Sequence, residues 1–137
     1  MKQKESDEFY MEIASLCASK SKCVRRKVGA VAVRDNTILA TGYNGTPTNF
    51  YTNKCEMQNG KTSPIVIHAE QNVICKMAAS NESLTNSTIY ITLSPCQDCA
   101  KMLYQSGVKR VVYKDEYKDT TGLAVLRALG VKVECFT

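Results

Sequence analysis

Histidine is almost missing from this chain: of 137 residues, only His68 carries an imidazole. Any chemistry that needs that ring must pass through His68, and a second metal site built on histidine is excluded. The chain also lacks an apolar run near the ~20 residues that a membrane-spanning helix requires. Its opening, Met1 to Glu8, is polar and has no signal-peptide core. The expectation is a cytoplasmic protein with no membrane partner. No internal repeat, low-complexity tract or linker interrupts the sequence, so residues 1–137 read as one domain large enough for a core. Charge of either sign is modest. Eighteen Lys and Arg against thirteen Asp and Glu leave a net +5, which allows an anionic small ligand without establishing one. A polynucleotide substrate would need a track for several phosphates. One basic cluster argues against that, so no nucleic-acid partner is expected.

Hydrophobic residues at 44% and charged residues at 23% are ordinary for a globular protein. There are seven cysteines. An odd number without a secretion signal predicts reduced thiols. Cys17, Cys75 and Cys135 fall in apolar periodic stretches and read as core, whereas Cys23 and Cys55 have no clear assignment.

Two short stretches organise the rest: His68-Ala69-Glu70 and Pro95-Cys96-Gln97-Asp98-Cys99. A catalytic zinc takes about three protein ligands from His and Cys and keeps a position open for water. His68, Cys96 and Cys99 supply three, and the C-x-x-C spacing turns both sulfurs toward one ion. Ser94 reads as a helix N-cap and Pro95 as the first helical residue. The positive end of that helix favours the thiolates that zinc binds. Glu70, two residues past the histidine in the first turn of its own helix, can face a zinc-bound water. Zinc lowers the pKa of such a water from ~16 to about 7, and a carboxylate beside it can carry the proton. C-x-x-C alone also fits a redox pair or half of a structural zinc site. The first leaves His68 and Glu70 unexplained, and the second lacks another C-x-x-C to close it.

Apolar spacing predicts a helix over residues 5–20, with Phe9, Ile13, Leu16 and Cys17 facing a sheet and Tyr10 and Ala14 on the flank. Lys20 to Lys27 carries five basic residues in eight. It reads either as a solvated connection or as a phosphate-binding surface. Residues 28–33 and 37–41 form a hairpin, and Gly29 within a strand marks close approach of a ligand or another backbone. Gly42 to Pro47 is a shaped turn that ends the strand. The polar stretch from there to Ile65 is a long loop, placed just before His68 as though to cover a substrate. Helices over about 67–79, 95–105 and 121–129 alternate with strands at 88–93, 108–113 and 131–136. The fold class is α/β: three layers, with a mixed five-stranded sheet flanked by helices.

The paired motifs are the signature of zinc-dependent nucleobase deaminases. Across roughly Phe9 to Phe136 the chain resembles the cytidine deaminase superfold. Within it, the segments Arg26 to Val31, Thr41 to Pro47, His68-Ala69-Glu70, Ser94 to Lys101 and Gln105 to Tyr113 resemble deoxycytidylate deaminases. The Gly-Tyr-Asn-Gly-Thr-Pro run distinguishes that branch from tRNA adenosine deaminases, and His68 stands where free-nucleoside deaminases generally have cysteine. The resemblance implies hydrolysis of dCMP to dUMP and ammonia, feeding thymidylate synthesis. It implies zinc on His68, Cys96 and Cys99, attack at C4 of the cytosine, and proton transfer by Glu70. Asn44 resembles the family's sugar-binding asparagine, Val28 and Ala69 would wall the base pocket, and Tyr113 and Tyr117 would face substrate or a neighbouring subunit. The family is often a homohexamer activated by dCTP and inhibited by dTTP. On that basis Arg25, Arg26, Lys27, Gly42, Tyr43, Asn44 and Gly45 are the expected effector contacts, with Mg2+ on the triphosphate and glycines admitting phosphate to backbone N–H groups. Some relatives hold a second, structural zinc with further His and Cys residues. The lack of another histidine here implies one zinc per subunit. A broader dCMP/dCTP deaminase and a tRNA or polynucleotide deaminase remain the alternatives. Glu70 argues against a catalytically dead relative.

Overall fold

The computed structural model describes residues 2–137. Its elements run α1 (Gln3–Ala18), β1 (Gly29–Arg34), β2 (Thr37–Tyr43), α2 (Ala69–Ala78), β3 (Thr88–Leu93), α3 (Gln97–Gln105), β4 (Arg110–Asp115), α4 (Thr121–Ala128) and β5 (Lys132–Cys135). One sheet takes the order β2-β1-β3-β4-β5. β1 lies antiparallel to β2 and β3, while β3, β4 and β5 are parallel. This is the mixed five-stranded α/β sheet expected from the sequence.

The strands are apolar on both faces because both are covered. Successive side chains point to opposite sides. Ala30, Ala32, Ile89, Ile91 and Val111 therefore join the large core with Val73 of α2, Leu103 of α3 and Leu126 of α4. Val31, Val33, Tyr90 and Val112 meet Tyr10, Met11 and Ala14 of α1. Each fully buried Ile or Leu contributes about 1.5–3 kcal/mol by leaving water.

The packed face of α1 is not the one its apolar spacing suggests. Tyr10, Met11, Ala14 and Ala18 are buried, whereas Phe9 is 48% and Leu16 68% exposed. The reason lies at Gly29. A Cβ there would stand 2.0 Å from the Ala14 carbonyl oxygen and 2.4 Å from the Ala18 nitrogen. The helix backbone rests directly on β1 through its small residues, so the expected close approach at Gly29 is that of α1. Two cysteines read as core are also exposed: Cys75 on the outer side of α2 and Cys135 on edge strand β5.

Between α1 and the sheet, four chain-distant groups form one polar cluster. The Arg110 guanidinium donates to both Asp7 carboxylate oxygens at 3.0 and 2.7 Å and to Glu134 Oε1 at 2.7 Å. The Tyr90 hydroxyl donates to Asp7 Oδ1 at 2.7 Å. Burial raises the Asp7 carboxyl pKa, but the Arg110 and Tyr90 bonds and the Arg110 charge outweigh it, holding the group below the usual carboxylate value.

The topology gathers four chain ends at one edge of the sheet. The start of β1 pairs with the end of β2 (Gly29 with Tyr43), and the end of β3 pairs with the end of β4 (Leu93 with Asp115). α2 and α3 begin beside this edge. Open α/β sheets place ligands beyond the carboxyl ends of their parallel strands for this reason.

Candidate active site and metal centre

His68 and Cys96 are the N-cap residues of α2 and α3. Both have extended backbone, which turns their side chains away from the helix axis toward the space between the two helix starts. Cys99, three residues into α3, is fully buried and faces the same point. The expected cap is therefore shifted: Cys96 caps α3 and Pro95 precedes it. α4 braces the cysteine loop from behind. A Cβ on Gly122 would come within 2.1 Å of the Pro95 carbonyl oxygen, so no larger residue admits this contact.

His68 Nδ1 lies 3.2 Å from Cys99 Sγ and 3.7 Å from Cys96 Sγ. All three donor atoms fall within 4.8 Å of one another. A tetrahedral zinc with ordinary Zn–N and Zn–S bonds would set such N···S edges at about 3.6 Å. The donor set and its spacing fit zinc with one position left over. Hydrogen bonding shares protons unequally among the three groups. Hydrogen bonding with Cys99, and then with His68, draws the Cys96 thiol down to about 4. Cys99 is pushed up by its bond to Cys96 and by burial. His68 is raised chiefly by its bond to Cys96.

Glu70 sits in the first turn of α2 and is 4% exposed. Among the described residues no Lys or Arg makes an ion pair with it. Burial pushes its carboxyl up to about 7. A carboxyl held there can take a proton and release it near neutral pH.

His68, Cys96 and Glu70 line a cavity of about 710 Å³. Val28, Ala69 and Leu93 supply apolar wall, and Asn44 and Tyr117 also line it. Arg25, Arg26, Lys61 and Lys118 bring four cations to the same space. The long loop reaches the cavity with Glu56, Lys61, Thr62 and Val66. The Asn44 side chain is engaged by the backbone: Oδ1 accepts from the Val28 N–H at 2.9 Å and Nδ2 donates to the Arg26 carbonyl at 2.8 Å. It locks the basic segment against the start of β1.

Several expected contacts fall elsewhere. Tyr113 is 6% exposed, packed in the core, and does not line the cavity. Its strand position points it beneath the sheet, under the helices. Lys27 turns away and donates to the Ser21 carbonyl at 3.0 Å. Gly42 and Tyr43 continue β2 by pairing with Ala30 and Gly29 instead of ending it. The N–H groups of Asn44 and Gly45 are donated to the Val28 and Ile67 carbonyls. The Gly42–Gly45 segment is therefore no open phosphate nest, and no acidic cluster for Mg2+ lies beside it among the described residues. Arg25 and Arg26 line the same cavity as His68 and Cys96. Cys23 and Cys55, expected as thiols, form a disulfide. Glu56 stands next to them, but with the two sulfurs bonded to each other no thiolates remain there to hold an ion. Lys61 and Lys118 were missed because each is a lone lysine in an irregular segment, with no pattern to mark it.

Residues 4–115 match the family model of the cytidine and deoxycytidylate deaminase zinc-binding region. The chain is 36% identical to the deoxycytidylate deaminase of Saccharomyces cerevisiae over 96% of its own length and 45% of the yeast protein's. It is 33% identical to the deoxycytidylate deaminase of Mycobacterium phage D29, over 85% of this chain and 99% of that one. It thus spans less than half of the yeast relative and nearly all of the phage one. Among solved structures, the dCMP deaminase of cyanophage S-TIM5 in complex with dCMP and dUMP superposes with a TM-score of 0.95 at 52% identity, covering 98% of each chain. The similarity includes the ligand-bearing helices and the sheet edge that supports them, and the chain belongs to the cytidine and deoxycytidylate deaminase family.

Proposed function

We propose that this protein deaminates dCMP hydrolytically to dUMP and ammonia, supplying dUMP for thymidylate synthesis. One observation carries the reading: His68 and Cys96 of a His-Cys-Cys donor set line a cavity together with a buried carboxyl and four cations. A cytosine ring suits the apolar wall at Val28, Ala69 and Leu93, next to Glu70. A 5′-phosphate suits Arg25, Arg26, Lys61 and Lys118, since guanidinium and ammonium groups form charge-assisted bonds to phosphate. Arg26 is engaged by Asp115 at 3.2 Å, with both side chains more than half exposed. A dianionic phosphate can displace so exposed a partner at little cost. The dCMP and dUMP bound in the cyanophage relative point to the same substrate here.

His68, Cys96 and Cys99 would hold zinc. Bound there, the ion supplies the Lewis acidity that makes water a nucleophile near neutral pH. Glu70 takes the proton released as water attacks C4 and delivers it to N3, then takes the proton of the new C4 hydroxyl and passes it to the amino group, which departs as ammonia when the C4–N bond breaks and the C4 carbonyl forms. Its burial keeps the proton within the site and favours the protonated form between the two transfers. Asn44 holds the Arg26–Val28 backbone in place at the cavity wall.

Activation by dCTP, inhibition by dTTP and a homohexameric assembly belong to the same reading and rest on the family resemblance. The test uses zinc-loaded protein with deoxycytidine, dCMP and dCTP in parallel, each with and without added dCTP or dTTP, and measures the uracil product. Turnover confined to dCMP supports the reading, and turnover of dCTP broadens it. Silence on all three with zinc present would overturn it in favour of a polynucleotide substrate.

A further inference from the structure

Ser94 belongs to the cysteine motif yet neither binds metal nor caps α3. It is 3% exposed and makes two hydrogen bonds that run in another direction. Its N–H donates to the Asp115 carbonyl at 2.9 Å, and its hydroxyl oxygen accepts from the Tyr117 N–H at 2.7 Å. The parallel pairing of β3 with β4 ends at Leu93 opposite Asp115. Beyond that point the β3 chain turns through Pro95 into α3 and offers the β4 side no further ladder. The Ser94 hydroxyl stands in for the missing main-chain acceptor and carries the pairing two residues past the end of the strand.

The segment held in this way is functional in position. Glu116, Tyr117 and Lys118 lie outside any strand and all three line the cavity. Among the described residues the Tyr117–Ser94 bond is the hydrogen bond that ties residues 116–118, between β4 and α4, to the cysteine loop, and short irregular segments with few buried contacts open readily.

On the reading of the cavity as a nucleotide site, we propose that Ser94 is a positioning residue that fixes the Glu116–Lys118 wall to the zinc loop, so that the wall and the metal ligands keep one geometry toward the substrate. It acts through Tyr117 and Lys118 and not through the metal. Ser94→Ala removes the acceptor and leaves the Tyr117 N–H unpaired, while Ser94→Thr keeps the hydroxyl. One neutral hydrogen bond corresponds to about a five- to tenfold change in an equilibrium.

The test measures dCMP kinetics, bound zinc per chain and amide hydrogen exchange in wild type, Ser94→Ala and Ser94→Thr. The expected result for Ser94→Ala is a KM for dCMP raised about five- to tenfold, kcat nearly unchanged and zinc retained. Exchange at the Tyr117 amide should accelerate, while the Ala100 amide, bonded within α3 to the Cys96 carbonyl, stays protected. Ser94→Thr should restore both KM and protection. Unchanged Tyr117 protection in Ser94→Ala would overturn the inference, and a raised KM in that case would mean that Ser94 touches substrate directly. Loss of zinc or a collapse of kcat would overturn it too, by placing the residue's role in the metal loop. If the wild type does not turn over dCMP, the substrate reading fails. The exchange comparison then decides the anchoring of Tyr117 by itself.

Discussion

Asp7 and Glu70 are acids drawn out of water in the same small protein, and they are treated in opposite ways. Asp7 lies behind the sheet with Arg110 and Tyr90 bonded to it, and its pKa is depressed. Glu70 lies at the sheet edge with no cationic partner among the described residues, and burial lifts its pKa to about 7. A paired carboxylate is fixed in one protonation state and can only hold structure together. An unpaired one, beside a donor set fit for zinc, is free to change state. The difference separates an acid suited to stabilising the fold from one suited to carrying a proton.

The largest expected effect comes from breaking the working side. Glu70→Gln keeps the shape and removes the proton carrier. Turnover of dCMP should fall by a factor of about 10²–10⁴ or more, with zinc content unchanged and thermal stability equal or higher, because a desolvated acid has been removed. Steady-state kinetics beside metal analysis checks this. Cys99→Ala should instead lose zinc, activity and stability together, since ligand binding and folding are coupled. Metal analysis and a melting curve separate the two variants.

On the paired side, Arg110→Met strands Asp7 and Glu134. Breaking a buried ion pair from one side costs about 3–5 kcal/mol, which denaturant unfolding would register, while kcat for dCMP measured below the melting point stays near wild type. Equal loss of activity and stability in Glu70→Gln and Arg110→Met would erase the distinction between the two acids.

The sign of the pH effect sharpens the same contrast. The folded pKa of Asp7 lies below its unfolded value. Its contribution is therefore complete above the unfolded pKa, near 4, and is lost as pH falls through the folded one. Unfolding free energy should decline on acidification below about pH 4, and Asp7→Asn should flatten that limb. The smallest effect belongs to the exposed pair at the cavity mouth. Asp115→Asn frees Arg26 from a contact worth roughly 0–1 kcal/mol, and stability should hardly move.

The grouping of the candidate site residues was legible because they stand in short motifs at helix starts. His68 and Glu70, and Cys96 and Cys99, each sit within one turn, so spacing brings each pair together, and the resemblance to the zinc deaminase signature is what joins the two pairs. The paired cluster was not legible. Asp7 and Arg110 lie 103 positions apart, and neither stands in a pattern that names the other. The Cys23–Cys55 bond, across 32 residues, escaped for the same reason. The strands were readable from their apolar runs. The buried side of α1 was not, since Phe9 and Leu16 keep helical spacing as well as Tyr10 and Ala14 do. Only the contact of Ala14 and Ala18 with Gly29 selects between them. Tyr113 was misplaced because an aromatic near a strand end serves a core or a pocket equally well until its register is known.

The most direct test compares dCMP turnover by the zinc-loaded protein with that of its Glu70→Gln variant, monitored as dUMP formation at neutral pH with zinc measured in both. The account predicts rapid dUMP formation by the first and almost none by the second at equal zinc content. Comparable rates in the two proteins would show that Glu70 does not carry the proton and would contradict the mechanism at its centre.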